Sequence, residues 1–107
     1  MGDIHELKCL EKHFKAVLSG GKKAEFRRND RGFKTGDIMV LNEVIEKKYS
    51  SLVTDGIFHD YEKTGRKIIC LILDVTNVND VYVELETLPQ FALISFRVMH
   101  VEVDYGA

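Results

Sequence analysis

The chain has 107 residues, 45% of them apolar, which suits one domain around one core, because ~100–150 residues is the commonest domain size. Fifteen Lys and Arg face seventeen Asp and Glu, a formal net charge of -2, so this is not a strongly basic chain that holds nucleic acid by bulk charge. The N-terminus Met-Gly-Asp-Ile-His-Glu is too polar for a signal peptide and no apolar run approaches the ~18 residues of a membrane span, so a single cytoplasmic domain over 1–107, with no membrane partner, is expected.

Ile4 to Cys9 mixes apolar and polar residues without a clean period and reads as a short strand. From Glu11 to Ser19, Phe14, Val17 and Leu18 recur with Leu10 at helical spacing. Glu11, Lys12 and Lys15 take the other side, which predicts one amphipathic helix over residues 11–19 that covers an open side of a sheet. Gly20 supplies its C-cap. Ala24 to Arg28 alternates, and on that parity Ala24 and Phe26 face the core while Glu25 and Arg27 project together on the other face. Arg28 shares the parity of Phe26, so it is expected to turn toward the core, where it needs a carboxylate such as Asp30 or Asp37.

Lys34-Thr35-Gly36-Asp37 reads as a tight turn into the apolar strand Ile38-Met39-Val40-Leu41. Residues 42–63 are polar and mixed, with an Asp55-Gly56 turn signal, and read as a long excursion carrying a short helix or hairpin. Thr64-Gly65-Arg66 closes it. Ile68 to Val75 is so uniformly apolar that both faces of that strand are expected to be buried. Asn77 to Asp80 reads as a turn, Val81 to Leu85 as an alternating strand, and Phe91 to Val101 as the last long strand after the single proline, Pro89. Five to six strands with one early helix predict a mainly β (α+β) fold, a small and mostly antiparallel barrel.

Cys9 and Cys70, both among apolar residues, read as buried free thiols. His5, Cys9 and His13 would share a face of a continuous helix, but a strand-to-helix break near Leu10 separates them, and a zinc site needs a fourth ligand. No metal or cofactor is expected.

The chemistry concentrates between Ser19 and Asp37. Gly20-Gly21 allows close backbone approach, Lys22 places a point charge beside free backbone N–H groups, and the Glu25/Arg27 pair follows at once. The run His5-Glu6-Leu7-Lys8, the helix Phe14 to Gly20, and then Lys22, Glu25, Arg27, Asn29, Asp30, Arg31, Phe33, Gly36 and Asp37 resemble the ASCH domain of the PUA-like superfamily, in its phage-associated and bacterial branch of unknown function. That resemblance implies a closed β-barrel with the helix packed on it and a cleft that receives RNA or a nucleotide. Related members that hydrolyse acetylated cytidine use a lysine, a threonine and a glutamate. Lys22 matches the lysine, but Glu25 stands at the threonine position, so the hydroxyl of that acyl-transfer chemistry is missing.

The candidate cleft is therefore Lys22, Glu25 and Arg27, joined by Lys8 and His5 if the first strand lies beside the second, with Lys23, Arg28, Asn29, Asp30, Arg31 and Arg66 as its rim. Arg27 suits a phosphate or a base edge, and Glu25 suits an exocyclic amine. RNA or nucleotide binding is the first expectation. A hydrolase of a modified nucleoside, with Lys22 as base and Glu25 as its partner, and a protein-interaction module using the 42–63 excursion, are the alternatives. Tyr49, Phe58, His59 and Tyr61 are read as apolar anchors of that excursion or as stacking surfaces.

Overall fold

The computed structural model describes residues 2–50, 57–81, 84 and 89–103. Within them lie the strands β1 (Ile4–Leu10), β2 (Ala24–Arg28), β3 (Ile38–Ser50), β4 (Ile57–Asn77) and β5 (Phe91–Val103), the helix α1 (Glu11–Leu18), and a 3₁₀ turn at Val78–Asp80. The strands form one sheet in the order β1-β3-β4-β5-β2, with β1 parallel to β3 and the other pairs antiparallel. The fold is mainly β with one helix, as the sequence predicts. Among the described residues no helix is long and apolar enough to cross a membrane.

The barrel, however, is not closed. β1 and β2 are the two edges of the sheet, and side chains rather than a backbone ladder span the seam between them. Arg27 donates from Nη2 to the Lys8 carbonyl, and Arg31 donates from Nη1 to the Glu6 carbonyl at 2.7 Å. These guanidinium groups take the acceptors that a neighbouring strand would have used, and the seam stays wide enough to hold a cavity.

The strand faces follow a stricter alternation than the sequence suggests. In β1, His5, Leu7 and Cys9 point inward while Ile4, Glu6 and Lys8 are exposed; a histidine inside and an isoleucine outside hide the period. β4 is buried on one face only, through Ile68, Cys70 and Ile72, because Leu73 on the other side remains 49% exposed. This corrects the expectation of two buried faces. Phe14 and Val17 of α1 close the core over Leu7, Met39, Leu41 and Ile94. Gly20, at φ 80°, ends the helix as predicted, its N–H donating to the Val17 carbonyl at 3.0 Å.

Residues 42–50 and 57–63 are not a loop. They are the outer half of the β3/β4 hairpin, paired from Val44 with Lys63 to Ser50 with Ile57, and the tip at 51–56 lies outside the described residues. The predicted anchoring side chains of Tyr49, Phe58 and His59 also lie outside them, as do Tyr82, Val83 and Leu85 of the predicted 81–85 strand. Val81 itself caps the 3₁₀ turn.

Between Asn42/Lys67 and Val44/Lys63 the register jumps, so that Glu43 faces a bulge of Thr64, Gly65 and Arg66. Gly65 sits at φ 93°, which a residue with a Cβ reaches only with strain. Gly65→Ala is expected to cost about 1–2 kcal/mol, seen as a fall in Tm of about 4–8 °C per kcal/mol in a thermal melt.

Candidate functional site

The open seam is a cavity of about 570 Å³. It is walled by β1 (Leu7 to Leu10), by β2 and the turn after it (Ala24 to Arg28, Asp30, Arg31), by His13 in the first turn of α1 and by Lys22 in the segment after the helix. Two free strand edges and a helix terminus thus converge on one concavity, which the linear order of the elements does not show.

Glu25 lies at its centre. It is only 6% exposed, the reverse of the parity read from the sequence: Glu25 and Arg27 do share a face of β2, but it is the inner one, while Phe26 is turned out at 58% exposure. The reason is local. Phe26 stacks outside on Phe91, with ring centroids 5.4 Å apart and planes at 12°, and the inner face at this edge is occupied by the cavity instead of packed core. Arg28, with the same parity as Phe26, is exposed and is not drawn to a core carboxylate; it lines the cavity mouth.

Lys22 Nζ donates to Glu25 Oε1 at 2.9 Å and reaches Nδ1 of His13 at 3.5 Å. An ammonium has three donors, so one remains for a ligand. Glu25 Oε2 is buried with no hydrogen-bond donor among the described residues, and Arg27 Nη2 stands 3.7 Å from it. A buried carboxylate oxygen without a donor is an acceptor waiting for one. Around it, five cations (Lys8, Lys22, Arg27, Arg28, Arg31) line the cavity against two carboxylates, Glu25 and Asp30, so the seam is locally positive on a chain of net charge -2. Burial, and secondarily Glu25, push the Cys9 thiol on the cavity wall up to about 11.

Four residues expected in or near the cleft belong elsewhere. His5 is on the inner face of β1, where it donates from Nε2 to Asp37 Oδ2 at 2.8 Å and packs tilted against Phe33. Arg66 pairs with Glu43 across the β3/β4 bulge, through Nε to Oε1 at 2.9 Å and Nη2 to Oε2 at 2.6 Å, with its guanidinium over the Phe14 ring at 5.0 Å. Asn29 donates its backbone N–H to the Gln90 carbonyl and Lys23 faces a separate groove; neither lines the cleft. Lys8 does line it, and its ammonium also lies 5.5 Å from the Tyr61 ring.

Asp30 and Arg31, expected on the rim, do line the cavity, whereas His13 is a member that the sequence does not point to. Its contact with Lys22 requires the helix to end at Gly20 and the chain to fold back, a geometry that spacing alone does not carry.

A family model described as a domain of unknown function, DUF3850, matches residues 4–88. An uncharacterized 12.9 kDa protein in the GpA 3' region of Escherichia phage P2 is 40% identical over 80 residues, which is 75% of this chain and 61% of that protein. The chain thus spans less than two thirds of the length of that relative.

Proposed function

Because this chain belongs to the DUF3850 family, whose function is unknown, we propose a role from the cleft itself: the protein binds RNA, or a nucleotide component of it, with a base in the seam and the sugar-phosphate on its cationic mouth. The observation that carries this reading is Glu25 Oε2, buried and without a hydrogen-bond donor among the described residues, in a cavity lined by five cationic residues. A ligand that satisfies both features has an N–H donor at one end and negative charge at the other. A nucleotide whose base bears an exocyclic amine has both, and carboxylates accept from such amines. Lys22 and Arg27 would then orient Glu25 and contact the phosphate. Kinship with the ASCH and PUA-like folds is part of the proposal, supported by the helix after β1 and by the convergence of Lys22, Glu25 and Arg27 on one cavity.

A hydrolase reading, with Lys22 as base and Glu25 as its partner, has less support, because Lys22 Nζ donates to Glu25 Oε1 at 2.9 Å and Glu25 stands where the related hydrolases carry the hydroxyl of their threonine.

Titration of the full chain with nucleoside monophosphates and short single-stranded RNA at low salt tests the proposal. Bases with an exocyclic amine are expected to bind at least tenfold more tightly than uracil, in line with about 1–3 kcal/mol of discrimination for a good base-edge contact. Glu25→Gln, which presents an amide to the same amine, is expected to erase that preference while leaving the phosphate contribution. Absence of saturable binding to every nucleotide and RNA tried would overturn it.

A further inference from the structure

The molecule has a second concavity, a groove of about 430 Å³ between the end of α1, the β4 bulge at Leu73 and the side of β5 that carries Phe96, Val98 and Val101. Val17 and Phe96 form its buried floor, while Leu18 (39% exposed), Leu73 (49%), Val98 (41%) and Val101 (40%) form walls whose apolar surface is left half in water. Leu73 lies at a bulge of β4: Ile72 pairs with Phe96 and Asp74 with Ser95, and the extra residue between them is left exposed. The volume falls in the small-molecule range of ~300–1,000 Å³.

One end of the groove is charged. The Phe96 N–H donates to the Lys23 carbonyl at 3.2 Å, which brings Lys23 beside Arg97, and both line the groove. Neither has an acidic partner among the described residues, whereas Lys15, Lys22, Lys47 and Arg66 all do. Two adjacent like charges with no counter-ion favour an anion, and the guanidinium fork suits a carboxylate. The aliphatic walls in turn favour an unbranched hydrocarbon body, whose burial is worth roughly 0.8 kcal/mol per CH₂.

We propose that this groove binds a small amphipathic carboxylate, its aliphatic chain between Leu18, Leu73, Val98 and Val101 and its acid group on Lys23 and Arg97. The site is separate from the nucleotide cleft, and Lys22 is the wall they share: its ammonium lies in the cleft on Glu25 and its stem borders the groove.

Titrating the ¹⁵N-labelled full chain with decanoate below its micelle concentration, followed by amide shifts, tests this. Saturable shifts centred on Leu18, Leu73, Val98 and Val101 are expected, with decanol binding at least about tenfold more weakly, since the charge-assisted contacts are lost. Lys23→Glu with Arg97→Glu is expected to remove the preference for the acid, and Leu73→Asp to remove binding of both. All three positions are exposed, so an unchanged Tm will show that the variants fold. Equal affinity for decanol and decanoate, or no saturation, would overturn the proposal. So would shifts of the same amides with protein concentration alone, because the groove would then be covered by a second copy of the chain.

Discussion

Arg66→Ala is expected to destabilise the protein by about 3–5 kcal/mol at neutral pH, the cost of leaving a buried charge without its partner. Glu43 is 2% exposed; Arg66 is its ion-pair partner, the Thr64 hydroxyl donates to it at 2.5 Å, and Lys15 adds a weaker, more distant positive charge. The Arg66 contacts, ahead of that hydroxyl, hold the Glu43 carboxyl below its ordinary value despite burial. The two ends of the pair are unequal. The Arg66 side chain is 34% exposed, so Glu43→Ala leaves a guanidinium that water can still reach and should cost less. The pH dependence separates the two cases. In Arg66→Ala, burial without a cation raises the folded-state value of Glu43 above its unfolded one, so the folded state takes up a proton. Its deficit against wild type is therefore smallest below the unfolded value near 4.5 and grows as the pH rises. Urea titrations at pH 5 and pH 7 measure this; a deficit that does not grow between them would contradict the assignment.

The second large effect is at Asp37. This carboxylate, 3% exposed, accepts from the backbone N–H of Asp3 and of Lys34, both at 3.0 Å, and from His5 Nε2 at 2.8 Å. It ties β1, the turn before β3 and the inner histidine together, and Asp37→Ala, which strands the buried His5 donor and two part-buried backbone N–H groups, is expected to cost about 2 kcal/mol or more. The His5 hydrogen bond, more than the backbone donors, holds the Asp37 carboxyl below its ordinary value of 3.8. A group depressed in this way contributes stability that is fully present above the unfolded value and is lost as the pH falls through the folded one. Wild type is therefore expected to lose stability steeply below about pH 4, where Asp37 and Glu43 protonate together. Asp37→Ala, lacking one of the two, should show a shallower acid limb in urea titrations from pH 2 to 6. An acid limb as steep as that of wild type would show that Asp37 gains little from its donors.

Several of these features could be read from the chain and several could not, and the difference has a physical basis. α1 and its glycine stop follow from local spacing and from a φ that only glycine takes easily, so Glu11 to Gly20 was legible. The cleft members Lys22, Glu25 and Arg27 were legible as a group because they sit on one short segment. Their direction was not. Alternation gives which residues share a face, but not which face is the inside, and at β2 the bulky phenylalanine is out and the carboxylate in. Glu43 was passed over as one polar residue in a mixed stretch, since its partner is 23 positions away and reaches it only through a bulge. The expected barrel closure failed for a related reason: whether β1 and β2 pair depends on two arginines that reach backbone oxygens 19 and 25 residues earlier.

Those arginines have a further consequence, for how the protein behaves among other proteins. A strand edge with free carbonyls is a template on which another chain can add a strand, the first step of edge-to-edge aggregation. β1 is such an edge, and the acceptors of Glu6 and Lys8 along it are already occupied by Arg31 and Arg27. A foreign strand would have to displace two guanidinium groups and bring its own backbone against their charge. The seam can thus stay open as a cavity while the β1 edge is blocked as a template, and both rest on the same two side chains.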